Sequence, residues 1–187
     1  MILKSTGIII GNYFIPPFEV REGELVVLYL YGGAHYHHLK TELVKILTGK
    51  RHHSGVKISS RCTFAEHVAE PAIRRWFFPV TVGGYMKRHA ALSPQYSSLI
   101  YQCEGITPKT RVHDLSITER KILSIYAALS RTNNIIFDLD GQCPMSAEET
   151  MQIVREIISF GSSAILLDWA DDLKEEATTF ITLECLS

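Results

Sequence analysis

Residues 115–138 read LSITERKILSIYAALSRTNNIIFD, and this stretch predicts a capped helix followed by a buried strand. Ser116 and Glu119 have the spacing of a capping box, in which the serine caps backbone N–H groups and the glutamate reaches back to the cap. Apolar residues then recur at positions 122, 125, 126 and 129, which places them on one helical face. Ile135–Phe137 is a compact apolar strand that ends in Asp138. An acidic residue at the end of a strand is a functional candidate in an open α/β sheet.

Strand and helix patterns alternate on both sides of this stretch. Ser146 and Glu149 predict a second capping box, opening an amphipathic helix that runs to Gly161. The other predicted strands are Gly7–Phe14, Leu25–Tyr31, Val56–Ile58, Ala164–Leu167 and Phe180–Leu183, and the other predicted helices are Lys40–Leu47, Val82–His89, Ser97–Gln102 and Asp171–Ala177. The alternation predicts an α/β fold, with a mostly parallel sheet covered by helices.

Composition excludes several classes of protein. Apolar residues make up 46% of the 187 residues, as in an ordinary folded domain. The longest apolar run, Leu25–Tyr31, is far shorter than the roughly 20 residues of a membrane helix. Charged residues around two prolines in Met1–Gly23 argue against a signal peptide. Four scattered cysteines without CxxC spacing favour a reduced, cytoplasmic protein.

Charge is distributed unevenly along the chain. Residues 1–137 carry 17 Lys and Arg and 9 Asp and Glu, whereas residues 138–187 carry 2 and 11. The acidic end is either a solvated surface or part of a self-complementary molecule or dimer, in which it meets a basic face. Because the total is close to neutral, no nucleic-acid partner is expected.

Several short segments of the sequence resemble, in the same order along the chain, the motifs of ABC-type ATPases, the ATP-binding cassette nucleotide-binding domains. They are Gly23-Glu24 before Leu25–Leu28, Lys40-Thr41 at a helix start, Ser54–Ile58, Thr81-Val82, Leu115–Lys121 with Ala128–Arg131, Asn134–Asp138 and Phe180–Glu184. The resemblance implies a single domain over residues 1–187 with a P-loop NTPase-like sheet, helices on both faces and a shortened helical subdomain at about residues 71–114.

The resemblance also implies a set of site residues. Nucleotide-binding positions would be Gly33, Lys40, Thr41 and Glu70, the last standing where the family has glutamine. Ser116 and Glu119 would belong to the signature motif. Asp138 would reach Mg²⁺, and Asp140 is a further catalytic candidate. ATP and Mg²⁺ are the cofactors that such a site would take.

Five of the family's functional motifs are altered together. Ala34, His37 and Leu39 stand where a phosphate loop needs glycine, so that its backbone N–H groups can wrap the phosphates. Leu139 stands where a glutamate normally polarises the attacking water. The other changes are Glu70 in the glutamine loop, Trp169 near the switch histidine position, and Ile117-Thr118 in place of paired signature glycines.

These changes predict a pseudo-ATPase that pairs with itself or with an active ABC ATPase, at the cytoplasmic face of a membrane if it serves a permease. One alternative is a weak Mg²⁺-ATPase that uses Lys40, Thr41 and Asp138. Another is a haloacid-dehalogenase-like phosphatase, because Asp138-Leu139-Asp140-Gly141 also resembles that family's first motif, with Asp138 as nucleophile. Only 47 residues follow Asp140, too few for the rest of such a domain.

For several other residues, the sequence leaves two interpretations open. Lys40 is either a residual phosphate-binding lysine or a solvated lysine at a helix start, and Asp138 is either functional or bonded to a helix N-terminus. The His35-Tyr36-His37-His38 segment, with His52 and His53, is either a metal site or an irregular surface loop. Trp76-Phe77-Phe78 is either a partner contact or part of a core.

Overall fold

The structure is a computed structural model that describes residues 1–68, 79–90, 94–169 and 172–186. The chain divides into two compact units. The first comprises residues 1–64, 134–140 and 154–187, and the second comprises residues 65–133 and 141–153. Glu70 and Trp76–Phe78 lie outside the described residues.

The first unit is built on a five-stranded parallel sheet. Its strands are β5 (Leu25–Tyr29), β7 (Thr63–Phe64), β8 (Asn134–Phe137), β9 (Ser163–Asp168) and β10 (Thr179–Thr182). Their order across the sheet is β10-β5-β9-β8-β7, and every neighbouring pair is parallel. The sequence prediction of an α/β fold with a mostly parallel sheet is confirmed.

The core of the first unit forms where helix α1 (Tyr36–Leu47) packs on this sheet. Leu39, Leu43 and Leu47 of α1 cluster with buried residues of the strands, among them Leu28 and Leu167. Strand β9 is buried along its whole length, as expected for a central parallel strand. Because parallel strands end at the same edge, Asp168 lies in register with Tyr29 at the carboxyl edge of the sheet.

Two small antiparallel sheets complete the first unit. One joins β1 (Leu3–Ser5), β4 (Phe18–Val20) and β6 (Val56–Ile58), and the other joins β2 (Ile8–Ile10), β3 (Tyr13–Ile15) and β11 (Glu184–Cys185). The predicted single strand Gly7–Phe14 is wrong. Its residues form a β2–β3 hairpin, because the chain turns at Gly11, whose φ of 59° suits glycine.

The described part of the second unit is mainly helical. It contains α2 (Val82–His89), α3 (Pro94–Ser97), α4 (Ile117–Leu129), the first residues of α5 (Pro144–Ser159), and single 3₁₀ turns at Leu99–Gln102 and Val112–Asp114. The capping box that begins α4 is confirmed: Ser116 Oγ accepts the Glu119 N–H at 3.1 Å, and the Ser116 N–H donates to Glu119 Oε2 at 2.6 Å.

The second predicted capping box is wrong. Helix α5 begins at Pro144, so Ser146 lies inside its first turn, and the Cys143 carbonyl accepts the Ala147 N–H at 2.9 Å. Proline is favoured at a first helical position, where no N–H partner is needed, which explains the earlier start. The predicted acidic helix Asp171–Ala177 is a short 3₁₀ turn over Asp172–Glu175.

Among the described residues, no helix combines the length and the apolar character needed to cross a bilayer.

Candidate functional site

Helix α1 begins four residues earlier than predicted, and this places Lys40 inside the helix. The Tyr36 N–H bonds the Gly33 carbonyl at 3.1 Å, and the Leu39 N–H bonds the His35 carbonyl at 2.9 Å. The segment before Lys40 has side chains at every position where a phosphate loop needs glycine, and residues with side chains favour the helix over glycine. The Leu39 N–H is therefore used within the turn.

The Lys40 ammonium lies at the carboxyl edge of the sheet between two carboxylates. Its Nζ donates to Asp138 Oδ2 at 2.9 Å and also to Asp140 Oδ2. The side chain of Lys40 is 10% exposed and that of Asp138 is 4% exposed. The ammonium also lies 5.3 Å from the ring centroid of Tyr36. Lys40 is thus a buried, paired lysine, so its interpretation as a solvated lysine is wrong.

Tyr36 connects this pair to strand β9. Its hydroxyl lies 2.8 Å from Asp140 Oδ1 and 3.2 Å from the Leu167 carbonyl, and it can donate to either. Burial, together with the charge of Asp140, raises the pKa of Tyr36 well above its usual range. Burial works against the charged form of Lys40, but the bonds from Asp140 and Asp138 outweigh it, and the pKa of Lys40 lies above its ordinary value.

These two shifts predict a loss of stability in alkali. Both folded-state pKa values are raised, so the stabilisation is complete below the unfolded values of about 10 and is lost as the pH rises above them. Tyr36→Phe should cost about 1 kcal/mol at neutral pH, where it removes one hydrogen bond. The difference between Tyr36→Phe and the wild type should shrink above about pH 10, since phenylalanine does not ionise.

Urea unfolding from neutral to alkaline pH measures this difference, with Tyr31→Phe as control because Tyr31 is 41% exposed. The Tyr31→Phe curve should run parallel to that of the wild type. If the Tyr36→Phe curve also stays parallel to that of the wild type at every pH, Tyr36 does not have the raised pKa described above.

The other predicted site residues have local partners. Gly33 has a φ of 135°, and a Cβ there would lie 3.4 Å from the ring of His35. The Thr41 hydroxyl donates to the His37 carbonyl at 2.8 Å within α1. Ser116 and Glu119 bond each other in the capping box of α4.

The histidines near α1 also have other neighbours. The ring of His35 stacks on Tyr13 with centroids 4.7 Å apart, and its Nε2 lies 3.1 Å from the Leu30 carbonyl. His53 Nδ1 accepts the Gly55 N–H at 3.1 Å. Within the described ranges, no group of three or more His, Cys, Asp or Glu side chains is arranged to hold a metal.

Sequence reasoning missed Tyr36 and Asp168 as members of the site. Asp168 is 4% exposed, and its Oδ1 accepts the Trp169 N–H at 2.6 Å. The sequence pattern could have identified Asp168 as a candidate, because Asp168 ends an apolar strand just as Asp138 follows one. Tyr36 is four residues before Lys40, which puts both on one helical face once the helix is known to start there. Trp169, 55% exposed, packs near Gly32.

The residues around Lys40 do not fit a triphosphate with its magnesium ion. The Lys40 ammonium already donates hydrogen bonds to two carboxylates, and the Leu39 N–H is bonded within the turn that begins α1. The ammonium also stands 2.9 Å from Asp138 Oδ2, where a divalent cation would need that oxygen.

Comparisons with known proteins place the fold. No protein-family model matches the chain, and no curated protein matches it. Solved structures do match over nearly its whole length. An ABC transporter in an inward-facing conformation has a TM-score of 0.75 at 14% identity, covering 97% of this chain and 79% of that chain. The ATP-binding cassette MJ1267 has a TM-score of 0.71 at 14% identity, covering 98% and 87%.

A third similar structure is cbiO1 from Clostridium perfringens, part of the ABC transporter complex cbiONQ. Its TM-score is 0.69 at 15% identity, and the match covers 98% of this chain and 84% of that chain. The five-stranded parallel sheet and these matches agree with one another. This chain has the fold of the ATP-binding cassettes of ABC transporters.

Proposed function

We propose that this chain is a pseudo-ATPase: a cassette subunit that keeps the fold of an ABC-type ATP-binding domain and hydrolyses no ATP. The observation that carries the proposal is the pairing of Lys40 with Asp138 and Asp140 inside the protein. A lysine that binds phosphate must offer its charge to the ligand, whereas this ammonium is neutralised by its own chain.

The residue after Asp138 supports the same conclusion. A cassette that hydrolyses ATP needs a carboxylate to polarise the attacking water. Leu139 holds that position, and it is 8% exposed, so an apolar side chain fills the space beside the strand end. A weak Mg²⁺-ATPase would need Asp140 to serve instead, and Asp140 is bonded to Lys40 and Tyr36.

We further propose that the chain acts as a structural half of a cassette pair, with a second copy of itself or with an active ABC ATPase. Its likeness to cbiO1, which is part of a transporter complex, supports a place beside a membrane permease at the cytoplasmic face. The basic character of residues 1–137 and the acidic character of residues 138–187 support association between complementary surfaces.

Two measurements on the purified chain test the enzymatic part. Phosphate release from ATP with Mg²⁺ should stay at the level of the protein-free blank, and calorimetric titration with ATP should show no saturable heat with or without Mg²⁺. Turnover that Lys40→Ala abolishes would overturn the proposal in favour of a weak ATPase.

Hydrolysis of a generic phosphomonoester that Asp138→Asn abolishes would instead identify a phosphatase. Sedimentation of the same preparation separates self-pairing from pairing with a different cassette, because one chain has a mass of 21.1 kDa.

A further inference from the structure

The two carboxylates that hold Lys40 differ in their exposure to solvent. The side chain of Asp138 is 4% exposed, and that of Asp140 is 37% exposed. Asp138 is therefore the inner partner of the ammonium and Asp140 the outer one. An anion that approached Lys40 from solvent would meet Asp140 first.

Tyr36 fixes the outer carboxylate in place. Asp140 Oδ1 lies 2.8 Å from the Tyr36 hydroxyl, and Asp140 Oδ2 accepts from Lys40. Tyr36 is itself 9% exposed, and its hydroxyl lies within reach of the Leu167 carbonyl of β9. With both oxygens engaged by side chains of α1, the carboxylate presents two anionic oxygens to that helix, as one edge of a phosphate group would.

We propose that Asp140 is the residue that determines the specificity of the Lys40 site: its carboxylate takes the place at the ammonium that an oxyanion would otherwise occupy, and the site rejects phosphate compounds for that reason. The inference rests on the proposed function, because it assumes that the site binds no nucleotide. It adds the side chain that prevents this binding.

The balance of charge explains the rejection. One ammonium faces two carboxylates, and the charge of Asp168 also acts on neighbouring Tyr36. A polyphosphate that displaced Asp140 from Lys40 would therefore bring its own negative charge next to these two carboxylates, and like charges at this distance repel. Neutralising position 140 would leave Lys40 balanced by Asp138 alone, with one face of the ammonium open to a new acceptor.

The test compares Asp140→Asn with the wild type by calorimetric titration with inorganic tripolyphosphate, without Mg²⁺. Asparagine keeps the size of the side chain and an oxygen for Tyr36, removes the charge, and replaces the oxygen that accepts from Lys40 with an NH2 group that cannot accept. We expect the affinity for tripolyphosphate to rise at least about tenfold, the change that corresponds to about 1.4 kcal/mol. Adding Lys40→Gln to Asp140→Asn should cancel the gain.

Glu184→Gln is the matched control, because it removes one negative charge from an exposed side chain of β11. Its affinity should equal that of the wild type. Thermal melting checks that each variant is folded. If Asp140→Asn does not fold, Asp140→Ser serves as a second neutral variant.

Equal affinities of Asp140→Asn and the wild type would overturn the inference, as would an equal gain in Glu184→Gln, which would indicate a general charge effect. These outcomes are separate from a failure of the proposed function. ATP hydrolysis by the wild type would contradict the pseudo-ATPase, whereas the tripolyphosphate titration concerns position 140 alone.

Discussion

Replacing Lys40 with methionine should lower the free energy of unfolding by about 3–5 kcal/mol, the usual loss when one partner of a buried ion pair is removed. Methionine keeps the length and the apolar stem of the side chain but not its charge. It leaves Asp138, whose side chain is 4% exposed, without the ammonium that now lies 2.9 Å from its Oδ2. Chemical unfolding in urea at neutral pH measures the change.

Lys45→Met is the control for this substitution, since it makes the same change on the same helix. Lys45 is 47% exposed and donates to Glu42 at 2.7 Å. Because Arg51 also pairs with Glu42, the loss of Lys45 should cost no more than about 1 kcal/mol. The double variant Lys40→Met/Asp138→Asn should recover part of the loss, because it also removes the buried negative charge that Lys40 balances. Similar losses for Lys40→Met and Lys45→Met would show that the Lys40 pair does not stabilise the fold.

Replacing Leu43 with alanine should cost about 2–5 kcal/mol, the range for truncating a buried leucine. Leu43 is 0% exposed and belongs to the core in which α1 packs on the parallel sheet. The loss combines the transfer of the removed atoms to water with the cavity left behind. Leu43 follows Lys40 by three residues, so both side chains lie on the same side of α1. The packing of Leu43 therefore also holds the Lys40 ammonium at the strand ends.

His38→Ala provides the comparison for Leu43→Ala, because His38 is an exposed residue of α1. It should change the unfolding free energy by no more than about 0.5 kcal/mol. Because alanine is the better helix former at both positions, helix propensity cannot explain a loss. Equal losses in the two variants would therefore show that the packing of Leu43 is not what holds α1 on the sheet.

The sequence predicted the elements whose signals are local and strong. The capping box at Ser116 and the apolar strand before Asp138 each depend on neighbouring residues, and both occur where predicted. Strand β9 was also predicted, since a continuous apolar run marks a buried parallel strand. Alternation of such elements was enough to indicate the parallel sheet.

The start of α1 could not be predicted, because the glycine pattern expected for a phosphate loop competed with the helix-forming side chains that are present. The site network was hidden for a different reason. Tyr36 and Asp140 are 104 positions apart, and Lys40 and Asp138 are 98 apart. Lys40 and Asp138 were singled out one by one, but only the folded sheet edge shows that they bond each other.

The pairing of Lys40 with its own chain has a consequence in terms of mass action. A ligand that binds only the native state adds stability that grows with its concentration. Two carboxylates in the same chain instead act as ligands at a fixed effective concentration. The stability that they give to this sheet edge therefore stays constant while the phosphate and nucleotide levels of a cell rise and fall.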